Sequence, residues 1–280
     1  LTCGKDFSLA FSPERIDPGN TSWKLKSTPK LISGVDEKSV LRAKSFYEPL
    51  IDHLIIASGV REAEFAKLLE NTYRQVNIAL VNELAIHAKT LDIDIWEVIR
   101  LAATKPFGFT PFYPGPGVGG HCLPIDPEYL SWKILKDSGE GSKFVSLATS
   151  INKKMPEYVV KRVRVGLASR GIDLRGASVF VVGVSYKKNS SDIRESPAVE
   201  TISLLIEGGA KVKALDSRVK FANSLNFDVK RELDLGDIKN ADIVLVLTNH
   251  DDVNYETIVK NSSYVFDVRH CVSGTNVEYL

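Results

Sequence analysis

The sequence predicts an α/β protein: a C-terminal Rossmann-like parallel sheet domain, joined by a long central helix to the tail of an N-terminal α/β domain. Three observations carry this. From Ala177 onward, short apolar β-rich runs alternate with helical segments, which implies a parallel sheet with right-handed crossovers. From Glu62 to about Thr90 a helical pattern runs with no Gly or Pro inside it. Ahead of it, residues 7–58 read strand, loop, strand, helix, strand, which is the closing part of an α/β domain. No Gly-rich strand-to-helix turn precedes that part.

Residues 7–11 (FSLAF) form an apolar strand and run into SPERIDPGN, a Pro/Gly loop. Residues 30–34 are a second strand, 36–50 a helix with Asp36 as cap, and 53–57 a third strand. The long helix carries apolar residues on several sides: Phe65, Leu68, Leu69, Val76, Ile78, Leu80, Leu84 and Ile86. Such a helix is buried on more than one side, wedged between domains or at a dimer interface. A helix at 94–103 follows, then TKPFGFTPF and the loop YPGPGVGGHCLPID from Tyr113 to Asp126. Helices are expected at 127–136 and 142–170. ASVFVVGVSY, from Ala177, is a strand apolar on both faces. A helix at 197–207 ends at Gly208-Gly209. Strands at 211–216 and 242–248, a helix at 255–260 and a last strand at 264–268 complete the chain.

The chain has 280 residues, enough for roughly two domains of common size. Lys and Arg number 36 against 35 Asp and Glu. This balance offers nothing to nucleic acid or to an anionic membrane. No apolar run reaches membrane-spanning length and no secretory signal is present. Cys3, Cys122 and Cys271 are a sparse, odd set, which suits a reducing, cytoplasmic setting. The only methionine is Met155 and the chain opens on Leu1, so we expect that an amino-terminal part is absent.

The loop at 113–126 concentrates the chemistry. Its glycines let backbone approach a ligand closely. Cys122 at its end reads equally as a nucleophile or as an ordinary buried thiol. On the long helix, Lys67, Asn71 and Arg74 are spaced i, i+4, i+7 and share a face. They are either a solvated stripe or donors for a developing oxyanion. His121-Cys122 and His270-Cys271 suggest zinc at first sight, but adjacent side chains rarely converge on one ion and no CxxC is present. No metal is expected. VVGVSYKKNSSDIRESP (181–197) runs from strand to helix and supplies Lys187, Lys188 and Arg194. It is either an anion-binding turn or a charged surface loop, and it lacks GxGxxG.

Together, SPERIDPGN, EFAKLLENTYRQVNIALVNELA, KPFGFTPFYPGPGVGGHCLPIDPEYL, GVSYKKNSSDIRESP and FDVR resemble, in order, the UDP-glucose/GDP-mannose dehydrogenase family of NAD-dependent nucleotide-sugar 6-dehydrogenases. The resemblance implies a trailing part of an NAD-binding domain at 1–58, a central helical, dimerising and catalytic domain at 59–157, and a UDP-sugar-binding Rossmann-like domain at 158–280. It implies a homodimer through the long helix, with no nucleic acid and no membrane as partner, and a place in polysaccharide biosynthesis. It implies four-electron oxidation of a sugar C6 hydroxymethyl group to a carboxylate with NAD. The TKPFGF…YPGPG-x-GGHC stretch is most similar to the acetamido-sugar branch, UDP-N-acetylglucosamine first and UDP-N-acetylmannosamine as the alternative.

By position, Cys122 matches the nucleophile, which passes through a thiohemiacetal and a thioester. Lys67 and Asn71 match the oxyanion pair, Asp126 the carboxylate near the thiol, and Glu14 an acid–base or water-orienting group. Arg15, Arg74, Phe109, Tyr113, Gly119, His121, Lys187 and Arg269 match substrate-binding positions, and Arg194 an NAD contact. Glucose-type members have a second glutamate four residues after Glu14, where this chain has Pro18; that argues against UDP-glucose. Because the dinucleotide fingerprint is missing, this chain alone is expected not to turn over. A non-catalytic nucleotide-sugar-binding or dimer-forming module is the alternative.

Overall fold

The computed structural model describes residues 1–17, 20, 22–220 and 225–280. Pro18 therefore lies outside the described residues. The chain divides into two compact units, Leu1–Tyr73 and Arg74–Leu280.

In the first unit, β1 (Ala10–Phe11) pairs antiparallel with β2 (Lys30–Gly34), and β2 pairs parallel with β3 (Leu54–Ile56). Helix α1 (Glu37–Tyr47) bridges β2 and β3, and the Asp36 carboxylate caps it by accepting from Ser39 N at 2.7 Å. The first strand is shorter than the apolar run FSLAF suggests, and Leu9 N donates to the Ser39 hydroxyl at 3.0 Å.

Helix α2 (Val60–Thr90) contributes Val60–Tyr73 to the first unit and Arg74–Thr90 to the second. In the second unit its Val81, Ala85 and Ala88 pack on Ile95, Trp96 and Ile99 of α3 (Ile95–Ala102), which Asp94 caps. The all-round apolar surface is only half used within the chain. Gln75, Ala79, Val81, Asn82 and Ala85 are buried, whereas Leu80 and Leu84 stay 49% and 45% exposed.

Two long helices follow, α4 (Cys122–Ser138) and α5 (Lys143–Ala168). The expected helix at 127–136 starts five residues earlier, at Cys122. Pro124 falls in the first turn, where an amide has no intrahelical partner to lose.

The terminal sheet contains β4 (Ser178–Val182), β5 (Lys211–Leu215), β6 (Val229–Lys230), β7 (Ile243–Val246), β8 (Val265–Asp267) and β9 (Val277–Tyr279). Its order is β6-β5-β4-β7-β8-β9, every pair parallel, which is the doubly wound order. The crossovers include α6 (Pro197–Glu207), α7 (Leu235–Lys239) and α8 (Tyr255–Asn261). The strand at 264–268 is thus not the last. β9, β6 and α7 were missed because they are two to five residues long, too short to establish a period.

Alternation along the strands sorts the core. Val179, Val181, Leu245 and Phe266 face α5 and α6, against Val159, Val163, Leu167, Ile202 and Leu205. Phe180, Val182, Val244 and Val265 face Ile238 of α7 and Ile258 of α8. Among the described residues no helix is long and apolar enough to cross a membrane.

Where α5 crosses the sheet it carries Gly166, and a Cβ there would lie 2.0 Å from the Tyr264 hydroxyl oxygen. Tyr264 is 1% exposed and donates to Glu278 Oε2 at 2.8 Å. Alanine would improve helix propensity by about 1 kcal/mol, but overpacking costs about 1–3 kcal/mol. Gly166→Ala is therefore expected to lower stability in chemical denaturation despite the better helix former.

Candidate active site

Loop residues 113–120 are held from three directions. Gly115 N donates to Asn82 Oδ1 at 2.9 Å, Asn82 Nδ2 to Asn152 Oδ1 at 2.9 Å, and Asn152 Nδ2 to Gln75 O at 3.2 Å. Asn82 and Asn152 are 0% and 5% exposed, so this polar chain replaces water inside the helical layer. On a second side, a Cβ on Gly119 would fall 2.5 Å from Glu195 O and 2.7 Å from Pro197 Cδ. Gly120 has φ +85°, and a Cβ there would meet the Tyr186 ring at 2.8 Å. Its amide donates to Arg194 O at 3.1 Å. Only glycine permits this turn to rest on the segment after β4. On the third side, Tyr113 stacks on Trp96 (6.0 Å between centroids), Trp96 on His270 (4.9 Å), and His270 lies against Tyr279 (4.3 Å).

The turn delivers Cys122 as the first residue of α4, exposed, with His121 just before it. Asp126 follows one turn later on the same side of the helix, half-buried. Arg194 donates to the Asp192 carboxylate through Nε at 3.0 Å and Nη2 at 2.6 Å. Its guanidinium is held above its ordinary range, by Asp192 first and, in smaller part, by the negative charge available to Tyr186 and Cys122. Cys271, after β8, is half-buried, and burial, then Asp267, pushes its thiol up to about 12.

The segment from β4 to α6 forms the floor beneath this turn. Gly183 turns the chain out of β4 at φ +87°. Val184 N and Ser185 N then both donate to Asp216 Oδ2, at 2.8 and 2.9 Å, from the end of β5. His250 Nε2 lies 3.1 Å from the same oxygen. Burial alone would raise the Asp216 pKa. The bonds from His250, Ser185 and Val184 outweigh it and hold the carboxyl down at about 2. Lys187 and Tyr186 follow directly on this turn, and the Lys187 Nζ lies 5.9 Å from the Tyr186 ring centroid.

Arg269, after β8, donates through Nε to Leu247 O at 2.6 Å, and a Cβ on Gly115 would lie 2.7 Å from its Nη1. Burial draws this guanidinium down to about 10, against the pull of Asp267. The second unit therefore groups Tyr113, Gly119, His121, Cys122, Asp126, Lys187, Arg194 and Arg269 around one loop. Phe109 and Arg74 are exposed in the same unit.

In the first unit, Lys67 and Asn71 are half-buried one turn apart on α2. Glu14 accepts from Ile16 N at 2.7 Å and lies 3.7 Å from the buried Lys30 ammonium. Arg15 forks onto Glu70 (Nε 3.0 Å, Nη2 2.6 Å) and also donates to Pro29 O at 2.9 Å. These bonds make Arg15 a brace for its own segment.

Sequence reasoning missed Asn82, Trp96, Tyr186, Asp216 and His250. Asn82 had a visible signal, an amide on an otherwise apolar helical stripe. Asp216 directly follows β5 and His250 lies four residues beyond β7, both at the carboxyl edge where a doubly wound sheet puts its working residues.

Two family models match the chain. The central domain of the UDP-glucose/GDP-mannose dehydrogenase family matches residues 61–154, and the UDP binding domain of the same family matches residues 180–274. A UDP-N-acetyl-D-mannosamine dehydrogenase of Methanocaldococcus jannaschii is 39% identical over 90% of this chain and 55% of its own length. The solved UDP-D-ManNAc dehydrogenase of Pyrococcus horikoshii superposes with a TM-score of 0.85 at 30% identity, over all of this chain and 65% of that one. The UDP-N-acetyl-mannosamine dehydrogenase Cap5O of Staphylococcus aureus gives a TM-score of 0.81 at 33% identity, over 64% of its chain. This chain thus spans somewhat over half the length of the relatives it matches.

The Asp216 network sets an acid limit. Its folded pKa, about 2, lies below the ordinary 3.8. It therefore contributes stability that is full above about pH 4 and is lost as pH falls to about 2, roughly 2 kcal/mol in all. Urea denaturation from pH 6 to pH 2.5 is expected to show this loss in the wild type, with Asp216→Asn less stable at pH 6 and flatter on acidification by that amount.

Proposed function

The chain belongs to the UDP-glucose/GDP-mannose dehydrogenase family, and from that premise we propose that its protein oxidises C6 of a UDP-N-acetylhexosamine to a carboxylate, with Cys122 as nucleophile. The observation that carries the reading is an exposed cysteine at the head of α4, on a glycine turn seated against the segment that bears Lys187 and Arg194. The sequence alone puts the glucosamine epimer first. The names of the relatives above all carry mannosamine, so UDP-N-acetylmannosamine is now our first candidate and UDP-N-acetylglucosamine the second.

In this reading the Cys122 sulfur adds to the aldehyde-level C6 and forms a C–S bond while the carbonyl oxygen takes the negative charge. We assign Lys67 and Asn71 to that oxygen. After hydride loss the sugar is held as a thioester; water adds, the thiolate leaves, and the carboxylate is released. Asp126 and Glu14 are assigned to the protons of the thiol and the water. Lys187 and Arg269 are assigned to the nucleotide sugar, with Tyr113, Phe109, Gly119, His121, Arg15 and Arg74 around it.

NAD, when bound, supplies the hydride acceptor. Its fit to the described residues is partial. Arg194 is exposed and could meet the cofactor, but the turn after β4 is no cradle for its pyrophosphate, because Asp216 already occupies the amides of Val184 and Ser185. We read residues 1–58 as the end of the NAD domain, 59–157 as central, and 158–280 as the UDP-sugar domain.

Thermal-shift measurements on this chain should show stabilisation by UDP-N-acetylmannosamine or UDP-N-acetylglucosamine, larger than by UDP-glucose. A shift with NAD and none with any UDP-sugar would sink the proposal. We further propose that a second copy covers the exposed Leu80 and Leu84. Light scattering is expected to give a dimer for the wild type and a monomer for the Leu80→Glu, Leu84→Glu double variant; a monomeric wild type rules the pairing out.

A further inference from the structure

We propose that His250, acting through Asp216 and Asn189, is a positioning residue for Cys122. The inference deepens the reading of Cys122 as nucleophile and rests on it. In a doubly wound sheet the crevice between the first and fourth strands is where a ligand ordinarily enters. Here those strands are β4 and β7, and the chain closes their carboxyl ends with its own side chains. Ser185, Asp216, Thr248 and His250 are all at most 1% exposed. A substrate cannot touch them, so whatever they contribute passes through the segment they hold.

His250 grips that segment at two points. Its Nδ1 accepts from Asn189 N at 2.9 Å, which assigns the proton of the neutral ring to Nε2. Nε2 faces Asp216 Oδ2 and Ser185 Oγ, both at 3.1 Å. Asp216 fixes the amides of residues 184 and 185, and Thr248 Oγ1 donates to Ser185 O at 2.6 Å. Asn189 takes a left-handed conformation, φ +58°, a region that asparagine enters more readily than other side chains. Asp251 contributes by accepting from Asn189 Nδ2 at 2.7 Å and donating its amide to Oδ1 at 3.1 Å.

Tyr186 lies between the two grips. Its amide donates to Asp192 O at 3.0 Å, which closes the segment on itself. Its ring is the surface under Gly120, and Gly120 N donates to Arg194 O. Cys122 follows two residues later. Loss of the His250 grip should therefore displace both the seat of the turn and Arg194, whose carbonyl receives the Gly120 amide. A turn that has lost its seat no longer holds the sulfur in one presentation, and its reaction with an electrophile slows.

The test uses residues 1–280 with His250→Gln, whose amide N–H can still reach Asp216, and His250→Asn, whose carbonyl can still accept from Asn189. Site-resolved mass spectrometry follows iodoacetamide alkylation of Cys122 at pH 7.5, beside thermal melting. Both variants are expected to alkylate Cys122 at least fivefold more slowly than wild type. Val265→Ala, a core change on the opposite face of the sheet, is expected to lower the melting temperature and keep the wild-type rate. Where neither His250 variant folds, Thr248→Val removes one grip with little change of volume and is expected to slow alkylation at least twofold. A wild-type rate in the folded variants, or equal slowing in Val265→Ala, overturns the proposal. Alkylation needs neither UDP-sugar nor NAD, so its failure leaves the dehydrogenase reading standing, and absence of UDP-sugar binding would leave this coupling intact.

Discussion

Two consecutive amides, those of Val184 and Ser185, point at one buried carboxylate, and much of the second unit follows from that geometry. A strand-to-helix turn with free amides invites an anion. Filled from within by Asp216, it becomes a rigid joint. The joint sets Tyr186, Tyr186 supports the two glycines, and the glycines aim Cys122. An unpaired carboxylate there would be costly, which is why amides and an imidazole surround it.

The helical layer meets the loop from the other side with a different device. Asn82 and Asn152 give their amide groups to each other, to Gly115 and to the backbone of Gln75. An apolar pair would pack as well but could not satisfy the Gly115 amide. Buried amides of this kind fix one register where hydrophobic contact would tolerate several. The aromatic column from Tyr113 to Tyr279 adds area to the same junction, tying the loop to the far end of the sheet.

Much of this was legible in the residues. The alternating β and α periods from Ala177 gave away the parallel sheet, and an uninterrupted run gave away α2. The glycines and Cys122 marked the loop, because glycine clusters have few other uses. What stayed hidden was tertiary. Nothing in Asp216 or His250 announces that they meet, since thirty-four positions separate them. Arg15 matched a substrate-binding position by resemblance, and only the fold reveals Glu70 as its partner. α4 starts at Cys122 with Pro124 in its first turn, where a proline is tolerated.

The dipeptide His-Cys occurs twice, and its two copies have become different chemical objects. At 121–122 both side chains are exposed at the head of a helix. At 270–271 the exposed imidazole stacks between Trp96 and Tyr279, and the half-buried thiol lies beside Asp267 with its proton firmly held. An electrophile at neutral pH thus distinguishes two identical pairs of letters by their neighbours. In a molecule proposed to work through sulfur, that silence matters: a reactive thiol at 271 would draw oxidants and stray adducts to the end of the sheet. Burial first, and then the carboxylate of Asp267, insulates this thiol chemically.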